Sequence, residues 1–95
     1  MKHTKWYKCT GNLPETPKSF EDRTNGLTRW SESDQLLLYV KGEPLKDYYR
    51  TGIYVRGDDY ELFQDDSGEE YGADEIIAWK HIEPFEEELQ DAERD

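Results

Sequence analysis

Carboxylates dominate the chemistry available to this 95-residue sequence. Asp58, Asp59 and Glu61 are followed by Asp65, Asp66, Glu69, Glu70, Asp74 and Glu75, with Tyr60 and Tyr71 set among them. Pairs of carboxylates serve acid–base catalysis, but in a chain with 23 acidic residues any chosen pair is uninformative. The run Asp65-Asp66-Ser67-Gly68-Glu69 superficially matches a calcium loop. Counting from Asp65, position 12 is Ile76, where an EF-hand needs a bidentate Glu, and Gly68 falls two positions early. Gly57, Gly68 and Gly72 lie among acids that would repel a phosphate. For nucleophilic catalysis there is Cys9, with His3 and His81 as the only imidazole bases, and nothing local marks a pair. The expectation is a binding protein with no catalytic residues, no metal and no cofactor.

Charge is unevenly distributed. Residues 1–57 hold ten Lys/Arg and seven Asp/Glu, a net of +3, whereas residues 58–95 hold two and sixteen, a net of −14. Such a field repels nucleic acid and membrane surfaces and draws in basic partners from a distance. The single cysteine excludes a disulfide framework and a multi-cysteine zinc site, and points to a reducing compartment. No apolar stretch follows Met1-Lys2-His3 as in a signal peptide, and the longest run, Leu36-Leu37-Leu38-Tyr39-Val40, is strand-sized. A cytoplasmic location is expected.

With 34% apolar and 37% charged residues the composition leans toward disorder, but three Trp, seven Tyr and three Phe supply enough ring surface for a small core. The secure element is Gln35 to Lys41, a short apolar run bounded by Ser33-Asp34 and Gly42-Glu43-Pro44, read as a buried central strand. Asp47 to Arg56 alternates as a second strand, with Tyr49, Thr51, Ile53 and Val55 on one face, Tyr48, Arg50, Tyr54 and Arg56 on the other, and a bend at Gly52. Shorter strands are expected at Trp6–Cys9, Tyr60–Phe63 and Asp74–Ile82. The last would place Ile76, Ala78, Lys80 and Ile82 on one side and Ile77, Trp79 and His81 on the other. Lys18 to Gly26 gives weak signals, a helical turn capped by Ser19 and then an Asn25-Gly26 turn. The fold class is mainly β with a minor α+β character: one domain over residues 1–85, a curled antiparallel sheet of about four to six short strands. Residues 86–95 form an acidic tail, helical after Pro84 or disordered.

The order of landmarks resembles a family of small phage and prophage domains of unknown function. It runs Trp6, Leu13-Pro14, Leu36-Leu37-Leu38-Tyr39, Tyr48-Tyr49, Gly52-Ile53-Tyr54 and a closing Ile76-Ile77-Ala78-Trp79-Lys80-His81-Ile82-Glu83-Pro84. Members of that family open with a Trp and a Leu-Pro, carry a Val-Leu-Val-Tyr-like strand, and close on Val-Ile-Ala-Trp before a Leu-Pro or Ile-Pro. The resemblance spans roughly residues 6–84; Glu83 interrupts the closing pair, and the Gly57–Glu75 region is unusually acidic. It implies a phage origin and a small antiparallel fold, with Trp6 and Trp79 as core rings. It implies no chemistry.

If the late strands pair, Asp58, Asp59, Tyr60, Glu61, Asp65, Asp66, Glu69, Glu70, Tyr71, Asp74 and Glu75 form one acidic ridge. Lys/Arg lining a nucleic-acid channel could accept that ridge through charge-assisted hydrogen bonds. The expected partner is a basic nucleic-acid-binding host protein, a CRISPR effector nuclease or a restriction enzyme, blocked by mimicry of its nucleic acid. The alternative is a phage accessory adaptor whose acidity serves only solubility. No pattern fixes the oligomeric state.

Overall fold

The inward-facing residues of one short strand define the centre of the molecule. In the computed structural model, which describes residues 5–82, Leu36, Leu38 and Val40 of β4 (Leu36–Val40) are almost completely buried, while Leu37 and Tyr39 between them are only half-buried. This is the period-2 pattern of a strand with one face on the core.

The other strands are β1 (Tyr7–Lys8), β2 (Lys18–Asp22), β3 (Thr28–Glu32), β5 (Tyr48–Gly57), β6 (Glu61–Asp65), β7 (Glu70–Tyr71) and β8 (Ile76–His81). They form one antiparallel sheet of eight strands, with order β1-β8-β4-β5-β3-β2, and β6 and β7 extending from β5. The mainly-β reading holds, with more strands than the four to six expected.

The ten residues of β5 organise this sheet. The first half pairs with β4 (Tyr48 opposite Val40, Gly52 opposite Leu36), the end pairs with β3 (Val55 opposite Glu32), and β6 pairs from Gly52 to Arg56. Residues 33–35 therefore oppose only Ile53 and Tyr54, so β3 and β4 run as one broken strand with a one-residue bulge. Ser33, fully buried there, satisfies the break: its amide donates to the Tyr54 carbonyl at 2.9 Å, and its hydroxyl accepts the Tyr54 amide at 2.9 Å. Tyr54 and Phe63, opposite each other on β5 and β6, pack ring to ring at 4.9 Å.

Three expectations change. Lys18 to Gly26 contains no helical turn, because β2 and β3 form a hairpin around Asn25-Gly26, with Gly26 at φ +92°. On β8 the strict alternation fails. Val40 faces Ile76 while Tyr39 faces Ala78, so Ile77 is an extra residue, and Ile76 and Trp79 both turn to the core. Of the two tryptophans expected inside, Trp79 is 5% exposed but Trp6 is 40% exposed. Trp79 stacks on Tyr7 at 4.7 Å and donates its indole N–H to the Asn12 carbonyl at 2.7 Å. The expected tail helix lies outside the described residues.

Candidate functional site

The turn after β5 presents the first acidic residues. Gly57 donates its amide to the Tyr60 carbonyl at 2.9 Å, closing a tight turn that leaves Asp58, Asp59 and the Tyr60 ring exposed. A side chain at Gly57 would collide with the Tyr60 ring, so the ring lies flat over this position only because it is glycine. Glu61 then begins β6 opposite Arg56, and its carboxylate accepts the Tyr54 hydroxyl. Glu61, although exposed, is thus engaged by Tyr54 and stands opposite Arg56.

At the other end of β6, about 14 Å along the strand, Asp65 is buried and acts as the hub of the next turn. Its Oδ1 accepts the Ser67 amide at 3.0 Å, the Ser67 hydroxyl at 2.7 Å and the Glu69 amide at 2.9 Å, and its Oδ2 accepts the Tyr71 hydroxyl at 2.8 Å. Arg50 Nε lies 3.9 Å from the same Oδ2. Burial alone would raise the Asp65 carboxyl, but the Ser67 and Tyr71 hydroxyls and the two amides outweigh it and hold it at about 2. The residue is an ionised structural cap.

Asp66, though exposed, also has partners within the chain, accepting Gln35 Nε2 at 2.9 Å and the Thr51 hydroxyl. Those two hydrogen bonds lower its carboxyl below the ordinary range. Glu75 accepts the Gly72 amide at 3.1 Å at the start of a short 3-10 turn, Ala73–Glu75.

The eleven residues singled out from the sequence therefore separate into two kinds. Asp65 and Tyr71 are buried, and Glu61, Asp66 and Glu75 have intramolecular partners. Asp58, Asp59, Tyr60, Glu69, Glu70 and Asp74 are exposed. Among the described residues, the side chains of these six make no hydrogen bond and no ion pair with a cation. These carboxylates thus sit in three places: Asp58 and Asp59 on the β5–β6 turn, Glu69 and Glu70 at the turn into β7, and Asp74 in the 3-10 turn beyond β7. Basic groups are interspersed with the acidic ones: Arg56 stands opposite Glu61 and, with Arg29, borders a cavity shared with Asp58, and Arg50 lies by Asp65, while Lys5 lies over the Tyr7 ring and Lys80 over Trp6.

Two surfaces escaped the sequence reading. Phe20 and Trp30, cross-strand partners in the β2–β3 hairpin, stack at 5.6 Å and border an open cavity of about 640 Å³ together with Arg29, Arg56 and Asp58. Their positions, equidistant from Asn25, carried the signal. On the sheet face opposite the core, Trp6, Tyr39 and Tyr49 form a second cluster, with ring centroids 4.9–6.3 Å apart.

The conceivable Cys9–His81 pair is not brought together. Although β1 lies beside β8, the Cys9 amide bonds to the Ile77 carbonyl, four residues or about 13 Å along the strand from His81. No family model, curated protein or solved structure matches this chain.

Proposed function

We propose that this chain is a phage-encoded acidic inhibitor that works by binding, occupying the basic nucleic-acid channel of a host defence protein such as a CRISPR effector nuclease or a restriction enzyme. The observation that carries this reading is the set of exposed carboxylates with no cation partner among the described residues: Asp58 and Asp59 on the β5–β6 turn, Glu69 and Glu70 at the turn into β7, and Asp74 in the 3-10 turn beyond it. A negative group with no cation of its own offers its full charge to Lys and Arg on a partner. Holding such groups on ordered turns removes part of the entropic cost of binding. The Asp65 cap provides that order around Glu69 and Glu70. The net charge of −11 adds long-range steering toward a basic channel and repels nucleic acid itself.

Competition tests the reading. The chain displaces labelled duplex DNA from a basic nuclease of the target class, and raised salt weakens the chain's own binding, since exposed charges are screened within about 8–10 Å at physiological ionic strength. Binding that leaves the DNA in place, or that tolerates high salt, favours the second reading, an adaptor. That reading draws on one specific observation, the exposed Phe20 stacked on Trp30 in the hairpin that also exposes Leu27, a source of apolar contact.

A further inference from the structure

Strand β2 ends one side of the sheet. All five of its residues are exposed, and among the described strands it pairs only with β3. Its outer row of amides and carbonyls therefore has no ladder partner, which is the template that an added strand uses. Natural edges of this kind are guarded by charges, and β2 carries three, Lys18, Glu21 and Asp22. Their order, Lys-Ser-Phe-Glu-Asp, is self-complementary.

We infer that β2 is a homodimer edge, on which two copies of this chain pair antiparallel about a twofold axis at Phe20. In that register each Lys18 stands opposite Asp22 of the other copy, twice by symmetry, and each Ser19 stands opposite Glu21. The two Phe20 rings meet at the axis. Because Phe20 already stacks on Trp30, an aromatic row of four rings runs across the joined sheets on one face. The charges also select the register: slipped two residues toward the hairpin loop, the pairing loses both Lys18–Asp22 pairs and sets Asp22 opposite Phe20.

Glu21 is already ion-paired within the chain, with Arg23 at 3.5 Å and Arg29 at 3.7 Å, but among the described residues little competes for Lys18 and Asp22. Lys18 has an exposed ion pair with Asp34 at 3.4 Å, of a type that contributes little, and Asp22 uses one oxygen to accept the Thr24 amide at 2.9 Å, leaving the other free. A five-residue strand pair is a small interface, so the dimer is weak and concentration-dependent. Two chains of net charge −11 also repel each other, so association requires at least moderate salt.

The test is sedimentation velocity of the full chain from about 10 µM to about 1 mM, with Lys18→Glu and Asp22→Lys made separately. The wild type passes from monomer to dimer. Each single variant sets two like charges opposite each other and weakens self-association by about tenfold or more. An equimolar mixture of the two variants restores both opposite-charge pairs and recovers the dimer, which also shows that each variant is folded. A wild type that stays monomeric throughout overturns the inference. So does a dimer indifferent to both substitutions, or a mixture that fails to associate. The inhibitor reading does not depend on this edge and stands or falls separately.

Discussion

The Tyr71 hydroxyl donates to the Asp65 carboxylate at 2.8 Å, both side chains buried, a diagonal contact across the β6–β7 hairpin in which Tyr71 itself stands opposite Phe63. One acidic residue, used as an internal acceptor, therefore shapes the turn on which its neighbours are displayed. Asp65→Asn keeps the size of the side chain but removes its charge and sets an N–H₂ against donors. The expected cost is about 1–3 kcal/mol, measured by urea unfolding. Amide exchange at Ser67 and Glu69 should accelerate more than exchange in β4.

The same contact gives the fold a pH dependence at both ends of the scale. Asp65 titrates at about 2 in the folded chain, below its ordinary 3.8, so its stabilisation is complete above about pH 4 and is lost as pH falls toward 2. Tyr71 is shifted the other way, by burial first and then by Asp65; Tyr54 likewise, by burial and then by Glu61. Their folded pKa values lie above the ordinary 10.0, so the stability they confer is intact below pH 10 and is lost as pH rises past it. Thermal unfolding between pH 2 and pH 12 should show both losses. In Tyr71→Phe the alkaline loss should be smaller and in Asp65→Asn the acidic one should be smaller.

The residues with strong local signals were read correctly, and the failures have local causes. Leu36 to Val40 announced itself by apolar density, and the faces of β5 followed from simple alternation through Tyr54 and Val55. The hairpin of β2 and β3 was hidden because Lys-Ser-Phe-Glu-Asp carries no alternation: none of its residues is buried, so no pattern was needed. On β8 the single extra residue at Ile77 inverted the face assigned to Ile76, a shift that alternation cannot detect. In the acidic segment the composition was legible but the division of labour was not. Which of nine carboxylates would be held by partners within the chain depended on residues far off in sequence, such as Gln35 and Thr51 for Asp66.

Gly52 is where β5 pairs with both β4 and β6, opposite Leu36 on one side and Asp65 on the other. A Cβ there would run into the Gln64 carbonyl and lie 2.7 Å from the Asp65 Cα, both backbone atoms that cannot swing aside. Gly52→Ala should therefore destabilise by about 3 kcal/mol, with an unchanged denaturant slope. A loss below about 0.5 kcal/mol would mean that β6 does not approach β5 as described.

Cys9 sits in the core beside Trp79, and burial, reinforced by the negative charge of Glu61, pushes its thiol above the ordinary value. The thiolate needed for disulfide exchange is correspondingly scarce. At pH 8, labelling by an aromatic disulfide reagent should follow the rate of opening of the fold, and should become fast only in denaturant. Rapid labelling of the native chain would show that β1 is open.

The central claim is that the free carboxylates flanking β6 make the partner interface. The direct measurement is binding of the chain to a basic nuclease of the proposed class, with and without Asp58→Lys, Asp59→Lys, Glu69→Lys and Glu70→Lys combined. All four side chains are exposed and have no ion-pair partner among the described residues, so the fold should survive, as near-ultraviolet circular dichroism would report. The account predicts at least about a hundredfold loss of affinity in about 0.15 M salt, together with a shallower salt dependence. A folded quadruple variant that binds and displaces DNA as the wild type does would contradict it.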